Sequence, residues 1–240
     1  MAMLEELKER VCAANNRLVA EGLVVETFGN ASAVDRGAGI MIIKPSGVSY
    51  EDLRPDHMVA VSLADGAVVE GALRPSSDTP THLVLYRSFP DVGGVVHTHS
   101  LHATAWAQAR REIPALGTTH ADYFQGPVPC TRLMTAAEIR GDYEANTGRV
   151  IVERFAGLDP MSRPGVLVAA HGPFAWGRSV EEAVHHAVIL EYLARLAAET
   201  VRIDPAARPM QRALLEKHFR RKHGPGAYYG QDRARKPESP

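Results

Sequence analysis

The sequence contains little cysteine and no long apolar run, and these two absences exclude several classes of protein. Only Cys12 and Cys130 are present among 240 residues, and neither belongs to a C-x-x-C pair. This count favours a reducing compartment over a disulfide-stabilised secreted fold, and it argues against thiolate redox or thiolate–zinc chemistry. No stretch reaches the roughly 18 apolar residues of a membrane span, and the charged start MAMLEELKERV lacks a signal-peptide core. We therefore expect a cytoplasmic protein with no membrane partner.

The sequence also carries almost no net charge. Its 27 lysine and arginine residues nearly balance 28 aspartate and glutamate residues, which leaves a formal charge of −1. Such a protein has no overall electrostatic attraction for nucleic acid, so we expect no nucleic-acid partner. Any anion that it binds must be held by a local site. Walker A and G-x-G-x-x-G patterns are absent as well, so a nucleotide ligand is not indicated.

Short apolar runs alternate with amphipathic segments along the chain. Apolar residues recur at helical spacing from Leu4 to Leu18, which predicts an N-terminal helix that ends at Glu21 and Gly22. Further helices are predicted after residue 78, over 100–111, over 179–200 and from about Pro209 to Lys222. Strands are predicted in GIMIIK, MVAVSL, AVVEG, VGGVVHTH and PGVLVAAHG. The interleaving predicts one layered α/β domain, and the charged, proline-rich tail at 232–240 is predicted to be disordered.

Histidines at strand ends indicate a metal site. His97 and His99 are two residues apart on a predicted strand, so both side chains can turn toward one ion. Taken alone, the pair is explained better by simple hydrogen bonding at a strand end. His171 ends another apolar strand and Asp78 precedes a helix, although these two could also be a turn residue and an N-cap. Three imidazoles and a carboxylate are a donor set that suits Zn²⁺ or a similar divalent ion.

Three short stretches rich in Gly, Ser and Asn are candidates for anion binding. FGNAS (28–32), KPSGV (44–48) and PSSD (75–78) are each predicted to form a sharp turn that exposes backbone N–H groups and hydroxyls. Lys44 adds a positive charge, and the helix predicted after Ser77 adds the positive end of its dipole. Plain turn chemistry explains any one of these stretches. The three together, with the lysine, favour a substrate that bears a phosphate.

Seven motifs carry a resemblance to a known family. FGNAS, KPSG, PSSDTPTH, VVHTHS, GTTHADYF, AAHGPFAWG and KHGPGAYYGQ occur in that order. Over about 4–231 the sequence resembles the L-ribulose-5-phosphate 4-epimerases of the class II aldolase superfamily. The resemblance implies a single three-layer α/β/α domain over 1–231 with a largely antiparallel central sheet. It also implies a cyclic homotetramer whose active sites lie between neighbouring subunits.

The resemblance assigns roles to residues at matching positions. It implies Zn²⁺ as cofactor, with Co²⁺ or Mn²⁺ as possible substitutes, and the acid/base pair Asp122 and Tyr229. The implied metal ligands are Asp78, His97, His99 and His171. The implied phosphate and substrate contacts are Gly29, Asn30, Lys44, Ser46, Gly47, Ser76 and Ser77, with His218 and Arg221 in supporting positions.

The implied reaction interconverts L-ribulose 5-phosphate and D-xylulose 5-phosphate. The C3–C4 bond breaks and re-forms on the other face of the aldehyde, while Zn²⁺ acts as a Lewis acid that stabilises the enediolate. Asp78 favours an epimerase, because related fuculose-phosphate aldolases place a proton-transferring glutamate there. A class II aldolase and a non-catalytic adaptor of the same fold remain alternatives, although adaptors tend to lose metal ligands. The pathway, L-arabinose or L-ascorbate catabolism, stays open because the chemistry would be identical.

The assignment of Tyr229 leads to a first prediction. Tyr229→Phe removes only the phenolic hydroxyl, so turnover should fall about 100-fold or more, the contribution of one acid/base group. The zinc content should stay unchanged. A coupled assay for D-xylulose 5-phosphate and elemental analysis of the same preparations measure both quantities. Loss of zinc from the variant would contradict the role assigned to Tyr229.

Overall fold

Short apolar strands build the centre of the molecule. The computed structural model describes residues 2–223 and 227–228. In this part of the chain the strands form one seven-stranded sheet in the order β4-β3-β2-β1-β5-β7-β6, and all neighbours are antiparallel. The strands are β1 Gly29–Asp35, β2 Ile40–Ile43, β3 Val59–Ser62, β4 Val68–Glu70, β5 Gly94–Thr98, β6 Gly165–Leu167 and β7 Pro173–Gly177.

Helices are the other regular elements of the described residues. The α-helices of the described residues are α1 Ala2–Ala20, α2 Thr79–Ser88, α3 Leu101–Ala109, α4 Thr118–Ala121, α5 Ala136–Arg140, α6 Tyr143–Arg154, α7 Val180–Ile203 and α8 Arg212–His223. A short 3-10 helix spans Pro55–His57. None of the helices described is both long and apolar enough to cross a membrane. The predicted tail at 232–240 lies outside the described residues.

The two faces of the sheet are covered by different helices. In β2, Ile42 points into a core shared with α1 and α7. Its neighbours Met41 and Ile43 point the other way, into a core shared with α2 and α6. Because side chains alternate along a strand, one strand contributes to both cores. The predicted three-layer α/β/α fold with an antiparallel sheet is confirmed.

Two local predictions are wrong. FGNAS does not form a turn, because Gly29 to Ser32 open strand β1, where Ser32 pairs with Val95 of β5. Buried polar partners replace the expected apolar alternation: the Ser32 hydroxyl lies 2.7 Å from Nδ1 of His82. PGVLVAAHG does not run as one strand to His171, since β6 ends at Leu167. Ala170 adopts a left-handed φ of 62° and turns the chain toward β7.

Helix α3 receives its N-terminal cap from another helix. Ser100, at the N-cap position, makes no side-chain cap. Glu191 of α7 instead accepts the N–H groups of His102 and Ala103, each at 2.9 Å, and Nδ1–H of His102 at 2.8 Å. Burial acts to raise the pKa of Glu191, but the hydrogen bonds from Ala103 and His102 outweigh it and lower the pKa. The carboxylate therefore fixes the chain just after His99.

Removal of this cap should destabilise the fold. Glu191→Ala leaves two backbone donors without their partner, so the free energy of unfolding should fall by about 2 kcal/mol. Because the pKa of Glu191 is lowered in the folded state, its stabilising effect is complete above the unfolded-state pKa of about 4.3. The effect is lost as the pH falls through the folded-state pKa. Urea denaturation of wild type and variant at pH 7 and below pH 4 measures both effects.

Glu199→Ala on the same helix is the matched control. Glu199 is half exposed and pairs with the exposed Arg202 one turn away, so its loss should change the free energy of unfolding by less than about 0.5 kcal/mol. Equal effects of the two substitutions would contradict the capping role of Glu191.

Candidate active site

Three histidines meet where β5 ends. His97 is the fourth residue of β5, His99 follows that strand, and His171 lies in the connection from β6 to β7. Their ligand nitrogens all lie within 4.8 Å of one another. Gly172 brings this connection against β5, since a Cβ there would lie 2.9 Å from the Thr98 carbonyl oxygen. The predicted histidine set is therefore assembled from two segments that are far apart in sequence.

The hydrogen bonds of the histidines leave nitrogens free for an ion. Nδ1–H of His97 donates to the Pro173 carbonyl at 2.9 Å, which turns Nε2 toward Nε2 of His99 at 3.1 Å. Two nitrogens of a tetrahedral zinc site lie about 3.3 Å apart, given Zn–N bonds of about 2.0–2.1 Å. The buried Nδ1 of His171 has no hydrogen-bond partner among the described residues. The three imidazoles therefore fit a divalent cation.

Burial keeps two of these imidazoles neutral. It lowers the pKa of His171 to about 4, with the neighbouring His97 and His99 acting in the same direction. It also lowers the pKa of His99. A neutral imidazole is the form that binds a metal, so the environment favours the ligand state at neutral pH.

Asp78 lies beside the histidines, although it is not within the 4.8 Å cluster that they form. It occupies the N-cap position of α2, yet its side chain makes no cap hydrogen bond. Its Oδ2 accepts from Nδ2 of Asn30 at 2.6 Å instead. Burial acts to raise the pKa of Asp78, but His97, His82 and the Asn30 hydrogen bond outweigh it and lower the pKa. The carboxylate is thus ionised and available, and its place as fourth ligand stays a prediction.

A cavity of about 320 Å³ joins the histidines to the predicted anion-binding segments. Asp78 and the three histidines form part of its wall. The predicted contacts that also form this wall are Gly29, Asn30, Lys44, Ser46, Gly47, Ser76 and Ser77. The strand start, the KPSGV loop and the N-terminal end of α2 therefore converge on one space. The metal candidates and the phosphate candidates share a site.

Lys44 is a buried cation without a carboxylate partner among the described residues. Only 2% of the residue is exposed. Its Nζ donates to the Val48 carbonyl at 2.8 Å and to the Pro45 carbonyl at 3.3 Å. Burial lowers the pKa of Lys44. Since burial of an unpaired charge is costly, a bound anion would supply the missing counter-charge.

The chain belongs to the class II aldolase family. Residues 9–198 match the class II aldolase and adducin N-terminal domain. The chain is 56% identical over 228 residues to L-ribulose-5-phosphate 4-epimerase UlaF of Salmonella paratyphi B (strain ATCC BAA-1250 / SPB7), which covers 95% of this chain and 100% of the relative. UlaF of Salmonella typhi is equally similar, with 56% identity and the same coverage.

Solved structures of class II aldolases share the fold. An L-fuculose 1-phosphate aldolase superposes with a TM-score of 0.75 at 25% identity, over 89% of this chain and 94% of the other. The L-fuculose-1-phosphate aldolase of Thermus thermophilus gives a TM-score of 0.65 at 24% identity, over 85% and 98%. The family resemblance of the sequence motifs is therefore confirmed.

A second polar group of this chain lies apart from the cavity. Asp122, at the end of α4, is not part of the cavity wall that the described residues form, and α8 supplies its partners. Nδ1 of His218 lies 3.1 Å from its Oδ1, and Nη2 of Arg221 donates to its Oδ2 at 2.8 Å. Burial acts to raise the pKa of Asp122, but these bonds and Lys222 outweigh it and lower the pKa. Tyr229 lies outside the described residues.

The cavity wall also contains a tyrosine and a glutamate that the sequence-based set lacks. Tyr143 and Glu144 begin α6 and line the cavity beside His171, and the rings of Tyr143 and His171 are 6.3 Å apart. Burial raises the pKa of Tyr143, with Asp78 and Glu144 adding to the effect, so its hydroxyl keeps its proton at neutral pH. A tyrosine and a glutamate at a helix start have no diagnostic spacing, so no local signal marks them.

The histidine cluster leads to a prediction on metal binding. His99→Asn removes one of three imidazoles, so the bound zinc should fall from about one ion per chain to near zero at micromolar protein. His57→Asn is the matched control, because Nε2 of His57 contacts the exposed Arg54 and the residue is not part of the cavity wall described above. Metal content is measured after dialysis against a weak chelator. Full zinc retention by His99→Asn would contradict the assignment.

Proposed function

We propose that the protein is a cytoplasmic, divalent-metal-dependent L-ribulose-5-phosphate 4-epimerase that interconverts L-ribulose 5-phosphate and D-xylulose 5-phosphate. The observation that carries this proposal is the shared cavity, with three imidazoles at one end and Lys44 with glycine and serine turns at the other. A metal end and an anion end in about 320 Å³ suit a short sugar phosphate. The UlaF relatives are named L-ribulose-5-phosphate 4-epimerases, which favours this substrate pair.

The anion end would hold the phosphate. Lys44 supplies the counter-charge, and the turns at 44–48 and 75–78 supply hydroxyls and backbone N–H groups. Held in this way, the phosphate keeps the two-carbon aldehyde fragment in the cavity after bond cleavage. The free end of that fragment can then turn over before the bond re-forms.

A Zn²⁺ ion at the other end would be held by His97, His99, His171 and Asp78. When bound, the ion supplies Lewis-acid stabilisation of the negative charge that develops at C2 and C3. Nδ1–H of His97 is held by the Pro173 carbonyl, which fixes the ring and presents Nε2. Asn30 does the same for the Asp78 carboxylate through its hydrogen bond to Oδ2.

Proton transfers would be made by Asp122 and Tyr229 of a neighbouring subunit. A base takes the C4 hydroxyl proton, the C3–C4 bond breaks, and the re-formed C4 alkoxide receives a proton on the other face. Asp122 is ionised and oriented by His218 and Arg221, yet it lies outside the cavity wall of its own chain. A homotetramer with active sites between subunits accounts for this separation.

A class II aldolase that releases its two fragments is the second candidate. The superposition on an L-fuculose 1-phosphate aldolase, at 25% identity, favours it. Asp78 favours the epimerase, because a short carboxylate held by Asn30 is less free for proton transfer than a glutamate. The adaptor alternative is disfavoured, since all four predicted metal ligands are present and adjoin one cavity. The proposal leaves L-arabinose and L-ascorbate catabolism as equal pathways.

A coupled assay tests the proposal. Purified protein should convert L-ribulose 5-phosphate to D-xylulose 5-phosphate, should lose activity in a strong chelator and should recover it with Zn²⁺, Co²⁺ or Mn²⁺. The recovered rate identifies the best ion. No turnover with metal present would overturn the epimerase proposal, and net accumulation of glycolaldehyde phosphate would favour the aldolase.

A further inference from the structure

Tyr50 contacts both sides of the anion end of the cavity. It lies two residues beyond the KPSGV loop, and its ring faces Nζ of Lys44, 4.7 Å from the ring centroid. Its hydroxyl donates to the carbonyl of Gly29, the first residue of β1, at 2.8 Å. We infer that Tyr50 is a positioning residue for phosphate binding, which holds Lys44 and the start of β1 at a fixed spacing. This inference rests on the proposed function, in which Lys44 and Gly29 contact the phosphate.

The Tyr50 ring restrains the flexible side chain of Lys44. A lysine side chain has a long flexible stem, and its immobilisation costs conformational entropy. The ring face attracts the ammonium through its quadrupole without cancelling the charge. A carboxylate at the same place would hold the ammonium more strongly, but it would also compete with an incoming phosphate. A tyrosine ring therefore orients the cation and leaves its charge available.

The hydroxyl fixes the other side of the anion end. Gly29 adopts a φ of 126°, which side chains other than that of glycine rarely tolerate, and a Cβ there would lie 2.9 Å from the His97 carbonyl oxygen. The Tyr50 hydrogen bond holds the Gly29 peptide in this conformation. Burial raises the pKa of Tyr50, so the hydroxyl remains a donor throughout the neutral range.

The core holds Tyr50 itself in place. The residue is half-buried and packs against the apolar cluster that joins α1, β1 and α7. A purely structural role at the edge of this cluster is therefore the alternative that an experiment must separate. The two contacts of Tyr50 can be removed one at a time, since phenylalanine keeps the ring and leucine removes both.

Calorimetric titration of the full-length protein with inorganic phosphate tests the inference. Tyr50→Phe should weaken phosphate binding about fivefold, because one hydrogen bond to a carbonyl is lost. Tyr50→Leu should weaken it about a further threefold to tenfold, because the cation–π contact is lost as well. With L-ribulose 5-phosphate, both variants should raise KM more than they lower kcat.

A double-mutant cycle separates positioning from packing. If the ring acts on the ammonium, the step from phenylalanine to leucine at position 50 should cost less than about twofold in a Lys44→Met background. The same cost in both backgrounds would mean that the ring only packs, and it would overturn the inference. Phosphate binding by Tyr50→Phe and Tyr50→Leu within twofold of wild type would overturn it too.

Two controls keep the outcome clear. Thermal melting identifies a variant that fails to fold, and Tyr50→Phe, which retains the apolar ring, decides the hydroxyl contact even if Tyr50→Leu does not fold. Phosphate binding is measured without turnover. A protein whose phosphate affinity depends on Tyr50 but which does not epimerise the sugar would overturn the proposed function and support this inference.

Discussion

The pairing of β1 with β5 is the constraint on which the site depends. In this register Asn30 lies opposite His97, and Gly29 lies opposite Thr98. The first strand brings Gly29 and Asn30, which are predicted phosphate contacts, and the second brings His97. Because successive side chains face opposite sides of a sheet, a slip of one residue would turn Asn30 away from Asp78. Backbone hydrogen bonds between the two strands thus fix the spacing of the two ends, and the Asn30 side chain adds hydrogen bonds to Ser76 and Asp78.

Burial gives the two ends of the cavity opposite properties. It lowers the pKa of His171 to about 4 and also lowers the pKa of His99, so these imidazoles stay neutral. Lys44 is also buried, yet carbonyl oxygens and the Tyr50 ring face its ammonium. Neutral imidazoles that can bind a cation and an ammonium that can bind an anion therefore lie in one small cavity. Neither end supplies the ligand of the other.

Sequence patterns predicted the parts of this site that follow a period or a motif. The β5 histidines and helix α7 were predicted from side-chain spacing, and Lys44 from its turn-rich surroundings. Strand β1 was mistaken for a turn, because Asn30 and Ser32 are small and polar and their buried partners come from distant α2 and the residue before it. Tyr143 was not predicted for a related reason, because only the packing of α6 on α2 brings it to the cavity.

The glycine that follows His171 limits how this site can change. Gly172 lies so close to Thr98 that a side chain at position 172 would push the β6–β7 connection away from β5. His171 would then move away from His97. The floor of the cavity, which the three histidines form, is therefore restricted in size. The KPSGV loop in its wall has more room, because a Cβ on Gly47 would meet no atom within 4 Å, although the φ of 71° at Gly47 still favours glycine. A protein of this architecture would adapt to longer or shorter sugar phosphates by altering its walls, while the chemistry at the floor stayed constant.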